Sequence, residues 1–216
     1  MSLRIVALSD THSYHRRIKV PEGDVLIHAG DITWRGELTI FADFANWLQE
    51  LPHKNKVVIF GNHELGMRSG PNKSLVLQMI KDAGATYLEN SETTIDGIKV
   101  YGSPATPYFM DWEWNYQRGR EIGEVWNLIP EDTNVLITHG PPYGILDSVQ
   151  DRSRGPQGCE MLKKRIQQLP NLKAHVFGHL HKDGGKIVNL HDTIFANVAI
   201  CDDAYDTTRL PTIIEV

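Results

Sequence analysis

The sequence predicts a layered α/β fold in which two β-sheets stack on one another. Short apolar runs typical of buried strands alternate with segments of helical spacing, the pattern of a layered α/β core. Residues 186–216 alternate like short antiparallel strands, which indicates a second sheet packed on the first. Several of the apolar runs also end abruptly in polar turns, as strands do at the edge of such a sheet.

The elements follow in a regular order along the chain. Apolar runs predict buried strands at residues 5–8, 25–29, 57–60, 135–138 and 176–177. Helical spacing predicts helices at residues 37–51, 74–83 and 158–169, of which the first two are closed by Pro52 and Gly84. Between residues 86 and 102, Asp96-Gly97 is a β-hairpin signal. Since no repeat or linker is visible, we expect one domain over residues 1–216.

Composition excludes some classes of function. The formal net charge of -5 and the pI of about 6.0 argue against an extended nucleic-acid-binding surface. Cys159 and Cys201 form no close pair, so a reducing compartment is expected. No signal peptide is visible and no apolar run approaches the ~20 residues of a membrane span. The expected location is therefore the cytoplasm, with no membrane partner.

Metal-binding side chains recur where the predicted strands end. Such side chains occupy five turns, which are Asp10-Thr11-His12, Gly30-Asp31, Gly61-Asn62-His63, Thr138-His139-Gly140 and Gly178-His179-Leu180-His181. In open α/β sheets, ligands bind at the carboxyl ends of strands, so turns distant in sequence can converge on one place. The glycines allow the sharp turns that a close approach to the metals requires.

The types of ligand indicate two metal ions. Two Asp, one Asn and four His supply oxygens and imidazoles but no thiolate, which suits divalent Mn, Fe, Zn or Co. These are too many ligands for one tetrahedral ion. They fit two ions about 3.5–4 Å apart that would clamp a phosphoryl group. We expect Mn²⁺ first among these metals.

The five turns, in this order, resemble the signature of the calcineurin-like metallophosphoesterases. The blocks that carry the resemblance are Asp10-x-His12, Gly30-Asp31 with Arg35-Gly36, Gly61-Asn62-His63-Glu64, His139-Gly140-Pro141-Pro142 and Gly178-His179-x-His181. Further segments are similar to the animal metallophosphoesterase-domain-containing proteins and their microbial relatives. These segments are Tyr101-Gly102-Ser103-Pro104, Phe109-Met110-Asp111-Trp112, Trp126-Asn127-Leu128-Ile129-Pro130 and Asn197-Val198-Ala199-Ile200-Cys201. That branch resembles class III cyclic-nucleotide phosphodiesterases in its core.

The resemblance implies a fold and a set of roles. The fold is a four-layer α/β/β/α sandwich with two stacked mixed β-sheets flanked by helices. The first metal would be held by Asp10, His12 and His181, the second by Asn62, His139 and His179, with Asp31 bridging. His63 would contact the phosphate and protonate the leaving oxygen after attack by a metal-bridging hydroxide. Arg35 falls where phosphatase members place a phosphate-binding arginine.

The chain departs from the pattern at Trp34. Phosphoprotein phosphatases have an Asp at this position, which orients the catalytic histidine, and Glu64 is a candidate substitute here. Some animal members of the closer branch carry Gly where this chain has His179. The complete ligand set of this chain therefore favours a working enzyme over a non-catalytic scaffold.

The substrate is left open by these motifs. We expect a phosphodiesterase acting on a small nucleotide-like ester, with cyclic nucleotides among the candidates. A phosphomonoesterase with the same site is the alternative, and a nuclease is a further one. In the aromatic loop at residues 106–118, Trp112 is a candidate substrate contact, although burial of the loop aromatics on the domain is the stronger expectation. The substrate, the metal and the oligomeric state are not fixed by the motifs.

The remaining histidines are expected to be structural or solvated. His28 should pack inside or beside its strand. His15 is expected in a solvated loop, and the other three are expected at the surface, namely His53, His175 and His191.

Overall fold

The computed structural model describes residues 2–216. Within them the strands, in chain order, are β1 (Arg4–Leu8), β2 (Val25–Ala29), β3 (Asn55–Ile59), β4 (Thr86–Tyr87), β5 (Ser91–Ile95), β6 (Ile98–Ser103), β7 (Thr106–Pro107), β8 (Asn115–Tyr116), β9 (Val135–Thr138), β10 (Ala174–Phe177), β11 (Lys186–Leu190), β12 (Thr193–Asn197) and β13 (Thr212–Glu215). The α-helices are α1 (Leu38–Glu50), α2 (Lys73–Asp82), α3 (Arg120–Trp126) and α4 (Glu160–Ile166). Short 3-10 helices lie at His15–Arg17, Arg152–Arg154 and His181–Asp183.

Two mixed sheets form the centre of the fold. The first has the order β13-β1-β2-β3-β4, in which only β13 runs antiparallel to its neighbour. The second has the order β11-β12-β10-β9-β6-β5, with four parallel strands in the middle and an antiparallel strand at each edge. The parallel strands of each sheet therefore present their carboxyl ends along one edge.

Alternating side chains place the two sheets face to face. In β1, Ile5 and Ala7 join the core between the sheets, where they meet Ile137 and Val176 of the second sheet. Because β1 and β2 are covered on both faces, they read as continuous apolar runs.

Helices cover the outer face of each sheet. Helices α1 and α2 pack on the first sheet through residues such as Phe41, Phe44 and Ile80. Helices α3 and α4 pack on the second sheet through Trp126 and Leu162. The result is the four-layer α/β/β/α sandwich expected from the sequence, and that prediction is confirmed.

The predicted helices form with ends one to three residues from those expected, and α3 was not predicted. This helix has seven residues, as α4 does, but it contains Gly123, which weakens its helical pattern. The Asp96-Gly97 hairpin is confirmed, since both residues have positive φ (46° and 83°) between β5 and β6. The strands predicted in residues 186–216 belong to both sheets, since β11 and β12 join the second sheet and β13 forms an edge of the first.

The predictions for three histidines were wrong. Side chains expected in a solvated loop or at the surface are buried at His15, His53 and His175. His15 bonds Asp43 at 3.0 Å, and His175 bonds the hydroxyl of Thr138 at 2.8 Å. These partners are distant in sequence, so the burial of the rings could not be foreseen from their neighbours. His28 is buried and His191 exposed, as predicted.

No helix within residues 2–216 combines the length and apolar character needed to cross a bilayer.

Candidate metal centre

All five turns predicted to bind metal lie at the carboxyl ends of strands. Asp10 and Asp31 follow β1 and β2, Asn62 follows β3, and His139 and His179 follow β9 and β10. Backbone hydrogen bonds join the turns within and between the sheets. The N–H of Asp10 donates to Gly30 O at 2.9 Å, and the N–H of Gly178 donates to His139 O at 2.9 Å. The second sheet thus brings its two turns against the three of the first.

Four of the seven predicted ligands have a left-handed backbone. The φ angles of Asp10, His12, Asp31 and His179 are 53°, 40°, 55° and 67°. Non-glycine residues rarely adopt this region, since such conformations cost about 1–3 kcal/mol each and persist only where the surrounding structure imposes them. Their concentration in one place marks a functional site, a signal that sequence patterns alone do not carry.

Two glycines lie directly against the ligand carboxylates. A Cβ atom at Gly61 would collide with Oδ1 of Asp31, and one at Gly178 would collide with Oδ2 of Asp10. Neither glycine needs a positive φ, so close approach is the reason for glycine at both positions. These turns can bring backbone up to the carboxylates only because the side chain is missing.

The predicted ligands of the first metal come together. Nε2 of His181 lies 3.3 Å from Oδ1 of Asp10 and 3.4 Å from Nε2 of His12. The three donor atoms of Asp10, His12 and His181 lie within 4.8 Å of one another. Asp10 is buried, and its carboxylate also accepts the N–H of His179 at 3.0 Å.

The predicted ligands of the second metal also come together. Asp31, His139 and His179 form a second group within 4.8 Å. Nε2 of His139 lies 3.0 Å from Oδ1 of Asn62 and 3.2 Å from Oδ1 of Asp31. Asp31 reaches towards the first group as well, with Oδ2 at 3.9 Å from Nε2 of His12. Its two oxygens therefore face both groups, the position that a bridging carboxylate needs.

The imidazoles of four histidines share one hydrogen-bonding pattern. In each, Nδ1 lies within hydrogen-bond distance of a backbone carbonyl oxygen. The Nδ1···O distances are 3.3 Å for His12 and Thr33, 2.9 Å for His63 and Trp34, 2.9 Å for His139 and Ala29, and 2.9 Å for His181 and Asp202. Since a carbonyl can only accept, Nδ1 carries the proton and Nε2 is left to face the centre. Metal-binding histidines are commonly oriented in this way.

Charge and burial oppose each other in this cluster. Burial lowers the pKa of His12 to about 4 and that of His179 to about 3, which keeps both rings neutral with a free lone pair. Burial would also lower the pKa of His139, but the charges of Asp31 and Asp10, together with hydrogen bonds to Asp31 and Ala29, outweigh it and raise that pKa to about 9. Burial would raise the pKa of Asp10, yet the hydrogen bond and charge of His181 hold it below its ordinary value. The two buried carboxylates thus draw positive charge to the centre.

The donor set fits two divalent cations. Two buried carboxylates, one amide oxygen and several imidazole nitrogens converge, with Nε2 as the inward atom of four rings. Such oxygen and nitrogen donors suit Mn, Fe, Zn or Co. His63 also lies within 4.8 Å of His12 and Asp31, so proximity alone makes it a further candidate ligand.

Glu64 ties two of the turns together. Its Oε2 accepts the N–H groups of Asp31 at 3.0 Å and Gly61 at 2.6 Å, and its Oε1 accepts the N–H and hydroxyl of Thr33 at 3.0 Å and 3.1 Å. Burial and the charge of Asp31 raise the pKa of Glu64 to about 8, while the hydrogen bonds from Thr33 and Gly61 oppose the shift. The carboxyl group holds backbone rather than His63, so its suggested role as the orienting acid was wrong.

The main chain of Trp34 orients His63 instead. Nδ1 of His63 donates to Trp34 O at 2.9 Å, which leaves Nε2 4.0 Å from Oδ2 of Asp31. The indole of Trp112 stacks on the His63 ring at 4.3 Å between centroids and 30° between planes. The imidazole is thus fixed by a carbonyl on its edge and by an aromatic ring on its face.

A cleft of about 510 Å³ opens over the centre. Asp31, Asn62, His63, His179 and His181 lie at its floor. The aromatic loop supplies one wall, which includes Tyr108, Phe109, Met110 and Trp112, while Trp114 is buried beneath it. Some aromatic side chains of the loop therefore line the cleft, as a substrate contact would, and another is buried on the domain.

The two predicted substrate contacts lie in different places. Trp112 lines the cleft, whereas Arg35 is exposed and is absent from the cleft lining within residues 2–216. The guanidinium of Arg35 lies 5.9 Å from the centroid of Trp112. Tyr205 also lines the cleft, and no sequence pattern marked it, because it stands in the segment interpreted as short strands.

Comparison with known proteins gives concordant matches. A sequence model described as calcineurin-like phosphoesterase matches residues 3–183. Metallophosphoesterase domain-containing protein 1 of Homo sapiens is 36% identical over 236 aligned residues, covering 99% of this chain and 71% of the human protein. UPF0046 protein C25E10.12 of Caenorhabditis elegans is 37% identical over 231 residues, covering 99% of this chain and 81% of the nematode protein.

Solved structures share the fold at low sequence identity. The Thermus thermophilus protein TT1561 has a TM-score of 0.61 at 14% identity, covering 94% of this chain and 90% of its own. A putative 5'-nucleotidase from Staphylococcus aureus has a TM-score of 0.59 at 11% identity, covering 100% of this chain and 54% of its own.

Proposed function

The chain belongs to the calcineurin-like phosphoesterase family, and from that premise we propose that it is a dinuclear metal-dependent phosphodiesterase acting on small nucleotide-like esters. The family consists of metal-dependent phosphoester hydrolases. The observation that carries the proposal is the convergence of seven side chains on one centre, with Nε2 of their hydrogen-bonded histidines turned inward.

We assign the ligands as follows. Asp10, His12 and His181 would hold the first ion. Asn62, His139 and His179 would hold the second, and Asp31, which faces both groups, would be shared between the two. Two ions bound there, with Mn²⁺ as the first candidate, supply positive charge for the phosphoryl oxygens and lower the pKa of a bound water.

The protein's own groups position the ester and move the proton. His63 stands beside the centre with Nδ1 committed to Trp34 O, so Nε2 is the atom that can deliver a proton to the leaving oxygen. Stacking on Trp112 keeps that ring from turning. We retain Trp112 as a substrate contact because it lines the cleft, and we place Arg35 at its outer side, where its charge steers the anionic substrate.

Space above the centre supports a diester. The cleft of about 510 Å³ extends from the floor at His63 to the wall formed by Tyr108 and Phe109. A phosphodiester carries an alcohol group on each side of phosphorus, and a cleft of this size is typical of small-molecule sites. A monoester needs only one such group. The two buried, unbridged cysteines, Cys159 and Cys201, suit a reducing compartment, so we place the protein in the cytoplasm.

Hydrolysis of matched aryl esters tests the proposal. Protein reconstituted with Mn²⁺ is expected to cleave bis(p-nitrophenyl) phosphate with a higher kcat/KM than p-nitrophenyl phosphate. The reverse ratio would make the protein a monoesterase, and cleavage of neither ester would refute the proposed activity.

A substitution separates His63 from the metal ligands. His63→Ala should lower kcat on the diester by about 10²–10⁴-fold, the range for loss of a general acid, while metal content stays at two ions per chain. The matched control is His191→Asn, since His191 is exposed in a hairpin turn and Asn tolerates its φ of 48°. Loss of one ion in His63→Ala would instead identify His63 as a ligand.

A further inference from the structure

The turn at residues 201–207 reaches from the second sheet to the metal centre. It is closed by an antiparallel bridge between Cys201 and Thr207. Inside it, Oδ1 of Asp202 accepts the N–H groups of Ala204 at 2.9 Å and Asp206 at 3.1 Å. The carboxylate therefore fixes the turn from within.

One carbonyl of this turn links Tyr205 to a predicted ligand. The oxygen of Asp202 accepts the N–H of Tyr205 at 2.9 Å and also Nδ1–H of His181 at 2.9 Å. Tyr205 itself has a φ of 63°, in the left-handed region. A bulky residue held in that conformation directs its side chain where an ordinary turn would not.

The ring of Tyr205 packs edge to face on two imidazoles. Its centroid lies 4.9 Å from that of His12 at 78° and 5.1 Å from that of His181 at 82°. It also lies 4.8 Å from the ring of Trp34, whose own centroid lies 4.8 Å from that of His12. The rings of Tyr205, Trp34 and His12 therefore form a triangle in which each ring contacts the other two. The edge-to-face contacts that Tyr205 makes are favourable at this length.

We propose that Tyr205 is a positioning residue of the first metal site, fixing the imidazoles of His12 and His181 through ring contacts. The polar contacts of each imidazole lie on its edge, since Nδ1 bonds a carbonyl and Nε2 faces the other predicted ligands. Contacts through these two atoms leave the ring plane free to rotate about the line that joins them. The tyrosine ring removes this freedom for both. This inference rests on the proposed function, because it needs the two-ion centre.

The geometry confines the effect to one of the two ions. Among residues 2–216 the structure records no ring contact between Tyr205 and His139 or His179, whose own rings pack on each other at 5.0 Å. Loss of the tyrosine ring should therefore weaken one binding step and spare the other. A general loss of folding would weaken both.

Titration with Co²⁺ alone, followed by its visible absorption, measures both binding steps without any substrate. Tyr205→Asn removes the ring and tolerates the left-handed backbone. It should weaken one step about tenfold or more, the range found when partners of metal ligands are removed. Tyr205→Phe keeps the ring and should bind as the wild type does. Tyr205→Leu, which keeps apolar bulk without a ring, repeats the test if the Asn variant unfolds.

The control variant is Tyr108→Asn. Tyr108 lines the same cleft and is 52% exposed, and the structure records no ring contact from it to the ligand histidines within residues 2–216. Unchanged Co²⁺ binding in Tyr108→Asn together with one weakened step in Tyr205→Asn supports the inference. Two unchanged steps in Tyr205→Asn, or equal weakening of both, overturns it while leaving the proposed function intact. A wild-type protein that binds no Co²⁺ overturns the proposed function, and this inference with it.

Discussion

Replacement of Glu64 by Gln should weaken both the fold and the site. The carboxyl group receives four hydrogen bonds, from three backbone N–H groups and the hydroxyl of Thr33. Gln must place its NH₂ group where one oxygen stood. The less unfavourable orientation points the NH₂ group at Thr33, because the Thr33 hydroxyl can rotate to accept a hydrogen bond, whereas a backbone N–H can only donate.

The magnitude follows from the group left unpaired. With its NH₂ towards Thr33, the introduced glutamine would leave the N–H of Thr33 buried without an acceptor. An unsatisfied buried donor costs about 1–3 kcal/mol. We therefore expect Glu64→Gln to lower the free energy of unfolding by about 2 kcal/mol. Because the same carboxyl group positions the backbone of Asp31 and Gly61, kcat should also fall.

Urea unfolding at pH 9, above the Glu64 pKa of about 8 so that the carboxylate is ionised, measures the loss by tryptophan fluorescence. Diester hydrolysis measures the effect on turnover. The matched control is Glu121→Gln at the exposed start of α3, where the carboxylate accepts one backbone N–H of Gln117 at 3.0 Å. That change should cost less than about 0.5 kcal/mol. If Glu64→Gln unfolds at the wild-type urea concentration with wild-type kcat, Glu64 does not hold the two turns together.

Three further predictions follow from other parts of the molecule. Burial lowers the pKa of His175 from 6.5 to about 3, so the unfolded chain takes up this proton first as the pH falls below 6.5. Below pH 6.5 the free energy of unfolding of the wild type should therefore fall by about 1.4 kcal/mol per pH unit more than that of His175→Gln. Urea unfolding at pH 7.5 and 5.5 measures both proteins, and the same fall in each would contradict the prediction. Trp112→Leu removes the ring on His63 and should lower kcat on the diester about threefold to tenfold with two ions still bound, and an unchanged kcat would show that stacking does not hold the imidazole. Gly97→Ala should cost about 1 kcal/mol in thermal unfolding, because φ is 83° while its Cβ would meet open space; a stabilised variant would rule out backbone strain as the cause.

The sequence predicted the fold correctly at the elements whose residue pattern is compatible with only one local structure. Val25–Ala29 is apolar at most positions because both faces of β2 are covered, so it could only be a buried strand. Asp96-Gly97 specified its turn because both residues tolerate positive φ. Helix α3 was missed because Gly123 interrupts the helical pattern of its seven residues. The pairing of β13 with β1 joins the two ends of the described chain, which no local pattern encodes.

The sequence predicted that the candidate ligands would come together, but not which groups hold them in place. The positions of Asp10, Asp31, His139 and His181 at strand ends predicted that they would meet, because parallel strands end at a common edge. What holds them is main chain or distant side chain. The carbonyl of Asp202 and the ring of Tyr205 come from a turn that carries no metal-binding residue of the predicted set. Such contacts depend on tertiary geometry, so the periodicity of the sequence does not predict them.

The carbonyl of Trp34 has a consequence for how this chain can vary. An orienting side chain is lost with one substitution, whereas a carbonyl oxygen is present whichever amino acid occupies position 34. The position is therefore free to change its side chain, to tryptophan here, without removing the acceptor that His63 needs. Comparing residue types at position 34 would miss a dependence that resides in a peptide bond. Only exchange of that amide for an ester, which weakens the oxygen as an acceptor, would reveal it.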